Sequence, residues 1–274
     1  MNKRVWINIV AVLAVVIMAL VVVVLVVSRD SEDIANEAPE SESRSQQATP
    51  RSAQEDQSGS LVADAMGRPV FDAGQVPGKP LEQTEPPGGF PADNGLVGPP
   101  PGLELQRVSR GVTVAVSTSD GPTGVDQGVL TGFARSARGA ALLATLHRAR
   151  VIAAGPEYVD FLEYYFPEAF KQLSPAMISE LEAKDAERMR DYMSTGYLAP
   201  SAFKFRFCDQ DFCTVETADT PVREALGSVP EEAKGADQYS VTKVSMAWQN
   251  DHWVILKTDA YNVPELDDSW EKWL

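Results

Sequence analysis

The sequence predicts an α+β domain that follows one N-terminal transmembrane helix and a disordered linker. An apolar run from Val5 to Val27 is long enough to cross a membrane. Apolar residues with a helical period dominate the first half of an outer domain at residues 103–260, and residues with a strand period dominate its second half. Helices are therefore expected to precede a curved antiparallel sheet and to pack on it.

The apolar run favours a retained membrane anchor over a cleaved signal peptide. It contains 23 residues with one polar member, Asn8, and is about 35 Å long as a helix. A cleaved signal has an apolar stretch of roughly 7–15 residues and a small-x-small cleavage site. Residues 25–29 have no such site. Residues 5–27 are therefore predicted to be a transmembrane signal-anchor.

Charges at the two ends of the anchor predict its orientation. Lys3 and Arg4 precede the run, whereas Arg29 is followed at once by acidic residues. Because positive residues stay on the cytoplasmic side, residues 1–4 are predicted in the cytoplasm and residues 28–274 outside. The chain is thus predicted to be a single-pass protein of the cell membrane.

Residues 28–102 have the composition of a disordered, acidic, proline-rich linker. Residues 28–100 hold ten of the nineteen prolines and thirteen acidic residues against five basic ones. Apolar residues such as Leu61, Val70 and Phe71 occur without a period. Such a segment buries too little apolar surface to offset its ordering entropy. A simple tether is favoured over a proline-motif docking site.

Strand and helix signals open the outer domain. Val112–Val116 alternates as a strand, and Ser119–Gly124 has turn composition. Ser136 is the predicted N-cap of a helix that ends near Ala154, before Gly155 and Pro156. Further helices are predicted at Glu157–Phe166 and from the Ser174 cap to about Gly196.

Strand patterns close the domain. Alternation predicts a strand pair at Phe203–Cys208 and Phe212–Thr217, and a hairpin of Tyr239–Trp248 with Trp253–Thr258. Residues 261–274 form an acidic tail that contains Trp270 and Trp273. This tail is expected either to fold back on the domain or to form a short partner-binding helix. The two tryptophans are the candidate partner contacts.

Helices followed by antiparallel strands, with Trp248 and Trp253 flanking the hairpin turn, resemble the cone-shaped nuclear-transport-factor-like fold. This resemblance covers residues 136–258 and depends on element order. Membrane-tethered members of that fold include scaffold subunits of type IV secretion and conjugation systems. The resemblance therefore implies a scaffold role by analogy between folds.

A second resemblance depends on short glycine motifs: Gly121-Pro122-Thr123, Gly128-Val129, Gly132-Phe133-Ala134 and Gly139-Ala140. They resemble an uncharacterised domain of actinobacterial membrane-anchored proteins, over residues 108–260. That family implies an association with conjugation or secretion machinery. It has no catalytic residues to carry over.

Catalytic signals are weak. The two histidines, His147 and His252, lie in a predicted helix and a predicted turn, and no hydrolase, zinc-protease or nucleotide-binding motif occurs. The exception would be an acid–base enzyme in the cone pocket, with Asp160, Tyr164 or Tyr165 as its groups. The protein is therefore predicted not to be an enzyme, and neither a cofactor nor a metal is expected.

Cys208 and Cys213 are the two cysteines of the chain. A metal site normally needs four ligands, which this segment does not supply. Outside the membrane, a disulfide that closes the strand pair is expected instead.

The charge distribution bears on partners. The net charge is −15, and residues 101–274 contain 26 acidic and 17 basic residues, a net charge of −9. Phosphates repel such a domain, so direct nucleic-acid binding is not expected. The sequence predicts an extracytoplasmic scaffold with protein partners in a conjugation or secretion complex. An envelope binding module for a lipid or cell-wall fragment is the alternative, and homo-oligomerisation stays open.

Overall fold

The computed structural model describes residues 59–91, 96–183, 199–220 and 238–273. The predicted cytoplasmic residues 1–4, the predicted membrane span 5–27 and residues 28–58 of the predicted linker lie outside these ranges. In the described ranges, no helix is both long and apolar enough to cross a membrane.

The described residues form a mixed α+β structure, as predicted. Its elements follow one another in this order: β1 (Ser60–Ala63), β2 (Pro69–Asp72), β3 (Glu104–Arg107), β4 (Thr113–Val116), β5 (Gly124–Asp126), β6 (Val129–Thr131), α1 (Ala137–Ala153), α2 (Pro156–Tyr165), α3 (Pro167–Phe170), α4 (Pro175–Ala183), β7 (Ala202–Cys208), β8 (Phe212–Asp219), β9 (Tyr239–Gln249), β10 (His252–Val263) and β11 (Glu271–Lys272).

These strands form two main sheets and one small hairpin. The larger sheet is antiparallel throughout, with the strand order β10-β9-β8-β7-β11. The second sheet has the order β1-β2-β3-β4, in which β2 and β3 run parallel. Strands β5 and β6 pair with each other.

Helix α1 is the centre of the core. The Ser136 hydroxyl accepts a hydrogen bond from the N–H of Gly139 at 2.9 Å and so caps the helix as predicted. A Cβ atom at Gly139 would lie 2.2 Å from the carbonyl oxygen of Ala134, which explains the glycine. Helix α1 packs against β4 of one sheet and β7, β8 and β9 of the other, so it is buried almost all round.

The other predicted helices and the terminal hairpin are also present. Helix α2 lies where it was predicted, and α4 begins at Pro175 behind Ser174. The predicted end of α4 near Gly196 lies outside the described residues. Strands β9 and β10 join through Asn250 and Asp251, whose φ angles of 50° and 62° fit a tight two-residue hairpin turn.

The prediction of a disordered linker up to residue 102 is wrong for its described part. Strands β1 and β2 pair with each other, and β2 also pairs with β3 of the domain. Val70 is completely buried. The proline-rich stretch is also attached, since the N–H of Thr84 donates to the carbonyl of Thr118 at 2.9 Å. The apolar residues of β1 and β2, which are Leu61, Val62, Val70 and Phe71, do not alternate with polar ones, which is why the sequence did not reveal these strands.

The predicted order of helices before strands is also wrong, because a four-stranded sheet precedes α1. At the other end, β10 continues to Val263, and the tail folds back. There β11 pairs with β7, with Glu271 opposite Phe203. The first of the two expectations for the tail is therefore confirmed.

Candidate functional site

The two histidines have different surroundings. His147 is buried in α1 and stacks on Phe161 with ring centroids 5.7 Å apart. Burial, together with the neighbouring Arg148, lowers the pKa of His147 from 6.5 to about 3, so the ring is neutral. His252 begins β10 and contacts the Tyr164 ring. Among the described residues, no group of three or more potential ligands is placed to hold a metal ion.

The three candidate acid–base residues differ in burial and in their contacts. The Tyr165 hydroxyl is buried and donates to the carbonyl of Leu130 at 2.7 Å. Asp160 is exposed on α2, where partial burial, Glu163 and Glu157 raise its pKa. Tyr164 is half-buried, and its ring contacts those of Tyr165 and His252.

The predicted disulfide is present. Cys208 and Cys213 are bonded and lie opposite each other at the ends of β7 and β8. Because they are the two cysteines of the chain, no thiol remains free.

The prediction that Trp273 contacts a partner is wrong. Its side chain is 7% exposed and stacks on Phe203 with ring centroids 4.1 Å apart. Its indole N–H donates to the carbonyl of Val97 at 2.8 Å. The pairing of β11 turns this ring into the core. Trp270 stays half-buried on the other side of the sheet, where the Lys204 ammonium lies 5.8 Å from its ring centroid.

The side of β7–β10 that points away from α1 is the most distinctive surface of the described chain. On the inner side, Val215 and Val244 belong to the main core. Side chains alternate along a strand, so the next residues face outward. We call this outward surface the open face, and it comprises Lys204, Arg206, Phe207, Phe212, Thr214, Glu216, Lys243, Ser245, Lys257, Asp259 and Tyr261.

The open face carries an excess of positive charge in an acidic domain. Residues of alternating sign lie opposite one another across four strands: Lys204, Glu216, Lys243 and Asp259. The Arg206 guanidinium also donates to Glu216, which is 2% exposed, at 2.8 Å. With Lys257, four cations face two carboxylates on these strands. Asp267 of the tail adds a third carboxylate, 3.3 Å from the Lys204 ammonium.

Large apolar side chains are exposed beside these charges. Phe207 is 50% exposed, and its ring centroid lies 6.0 Å from that of Phe212. A bulge between Phe205 and Phe207 shifts the register, so Arg206 and Phe207 both face outward while Phe205 stays in the core. A second bulge, between Ile255 and Lys257, leaves Leu256 53% exposed.

Sequence reasoning missed this surface because it assumed unbroken alternation in β7. A signal was present in β10: four consecutive apolar residues at Trp253–Leu256 cannot all face the core of an alternating strand. That pattern indicates a bulge or an exposed apolar side chain.

Residues 72–268 match the family described as a domain of unknown function (DUF8175). The chain belongs to this family. The prediction of an uncharacterised domain family is thereby confirmed, and the match includes the open face and the disulfide. No curated protein and no solved structure matches the chain.

The DUF8175 domain has a small cleft near one end of the larger sheet. Its volume is about 90 Å³, and Arg68, Tyr239 and Lys272 are among the lining residues. Pockets for drug-sized ligands measure roughly 300–1,000 Å³. This cleft is therefore too small for such a ligand, and the open face is the stronger candidate site.

Proposed function

We propose that the chain is a membrane-anchored extracytoplasmic scaffold whose DUF8175 domain binds a protein partner through the open face. The observation that carries this proposal is the exposure of Phe207 and Leu256 next to a cluster of cations. Exposed apolar side chains rimmed by polar residues are typical of protein interaction sites. The excess of cations favours a partner that is acidic around an apolar centre.

Two independent observations support the extracytoplasmic location. The apolar run Val5–Val27 behind Lys3 and Arg4 has the pattern of an anchor with its N-terminus in the cytoplasm. The Cys208–Cys213 disulfide suits an oxidising compartment outside the cytoplasm.

A place in a conjugation or secretion complex is the finer part of the proposal. It is supported by the resemblance of the glycine motifs and by the packing of α1 on an antiparallel sheet, the arrangement expected of a cone-shaped fold. Since residues 101–274 carry a net charge of −9, we propose that any role in DNA transfer runs through protein partners.

One observation favours the alternative of an envelope binding module. Phe207 contacts Phe212 and follows Arg206 in β7, and aromatic rings next to a cation also suit an anionic lipid or cell-wall fragment. Such a module would hold a small molecule without a protein partner.

Co-purification of the tagged full chain from solubilised membranes separates these functions. Substitution of Phe207→Ser together with Leu256→Ser is expected to remove the partner, because both side chains are exposed in the folded domain. Val125→Ser is the matched control, since Val125 is 45% exposed on the β5–β6 hairpin.

Loss of the same protein from the double variant but not from the control supports the scaffold. Retention of that protein by the double variant contradicts binding through the open face. Recovery of a bound lipid or glycan with no protein supports the binding module.

A further inference from the structure

In the part of the chain that the structure describes, the second half of β10 is an uncovered sheet edge. Strand β9 pairs with one side of β10, and no other strand of the described residues pairs with its second side. Helix α2 contacts β10, and residues 253–255 are buried. Beyond the bulge at Leu256, residues 257–262 are exposed except for the half-buried Thr258.

An edge of this length presents unpaired backbone N–H and C=O groups, because every second residue turns these groups away from β9. Proteins often protect such an edge with charged side chains. Here the two charges have opposite signs and lie two residues apart, at Lys257 and Asp259. They pair within the chain at 3.0 Å and are 64% and 45% exposed.

This charge pattern is complementary to itself. In an antiparallel pair of two β10 strands centred on Thr258, Lys257 lies opposite Asp259 of the second copy, and the reverse pair forms by symmetry. A pair centred on Asp259 or on Lys257 would instead place like charges directly opposite each other, which is unfavourable.

We propose that two copies of this chain join through β10 in the register centred on Thr258. The two larger sheets then become one continuous ten-stranded sheet, and the two open faces lie on the same side of it. In the dimer, the ion pair between Lys257 and Asp259 of one chain is replaced by ion pairs between Lys257 of one copy and Asp259 of the other.

Cysteine crosslinking of the full chain in native membranes tests the register. Thr258→Cys places two thiols on residues whose Cα atoms are about 5 Å apart in this register. Ala260→Cys is the matched control, because its two copies are about 14 Å apart, beyond the roughly 7 Å that a disulfide allows. With an added oxidant, the Thr258 variant is expected to form a covalent dimer at least about tenfold more than the control.

Charge exchange on the Thr258→Cys background tests the complementarity. Lys257→Asp alone places carboxylates opposite each other twice and is expected to reduce the dimer about tenfold. Adding Asp259→Lys restores opposite signs and is expected to restore the dimer. The proposal is overturned if neither cysteine crosslinks or if both crosslink equally. It is also overturned if the variant with both charges exchanged does not regain the covalent dimer. Phe207→Ser leaves this crosslink unchanged, so the result is independent of the proposed function.

Discussion

At the scale of single residues, His147 shows how burial decides between a catalytic and a structural role. The ring lies between α1 and the aromatic residues Phe161 and Phe166, without a hydrogen-bond partner for Nδ1. A protonated ring would leave a charge in this apolar contact, which is why its pKa falls to about 3. The neutral ring therefore stabilises the fold by packing at neutral pH, whereas its protonation in acid destabilises the fold.

The lowered pKa of His147 predicts that the stability of the fold depends on pH. Below pH 6.5 the unfolded chain takes up a proton at this ring, whereas the folded chain does so only near pH 3. The free energy of unfolding should therefore fall as the pH drops through this window, by about 2 kcal/mol between pH 7 and pH 5 from this group.

The measurement is denaturant unfolding at pH 5, 6 and 7 for the native chain and for His147→Leu. Leucine keeps an apolar side chain in the contact but does not titrate. The variant should lose about 2 kcal/mol less over the same interval. Equal losses in the two proteins would contradict the assignment.

At the scale of elements, the sequence predicts those whose ends carry a local signal. Ser136 caps α1 through its own side chain, and Asn250-Asp251 can adopt the positive φ angles of a hairpin turn. Both elements are found where they were predicted.

Elements that depend on distant partners were not predictable. Strand β2 consists of four residues and exists because β3, more than thirty residues later, pairs with it in parallel. The exposure of Phe207 likewise depends on a bulge, which shifts the register between β7 and β8. No local pattern in β7 encodes that shift. This is why the fold class and the disulfide were predicted, whereas the domain boundary and the open face were not.

The corrected domain boundary predicts that two fragments with different starting residues differ in stability. A fragment that begins at residue 59 keeps β1 and β2, whereas one that begins at residue 103 loses them together with the buried Val70. The shorter fragment should unfold with a free energy lower by at least about 3 kcal/mol, or fail to fold.

Thermal unfolding of both fragments, prepared under oxidising conditions so that the disulfide forms, provides the comparison. If the shorter fragment melts at the same temperature as the longer one, the result would contradict the inclusion of β1 and β2 in the domain and support a boundary at residue 103.

At the scale of the whole molecule, charge separates the open face from the rest of the chain. The net charge is −15, yet the strands of the open face carry four cations against two carboxylates, with Asp267 of the tail as a third carboxylate beside Lys204. A positive face on a negative molecule orients an acidic partner towards that face and repels it elsewhere. In the proposed function, the exposed Phe207 and Leu256 are the apolar contacts for that partner.

The most direct test of this account is photocrosslinking in intact cells with a photoreactive phenylalanine analogue at position 207, and with the same analogue at position 125 as the control. The account predicts a discrete crosslink to a protein of a membrane complex from position 207 and none from position 125. No crosslink from position 207, or the same products from both positions, would contradict it.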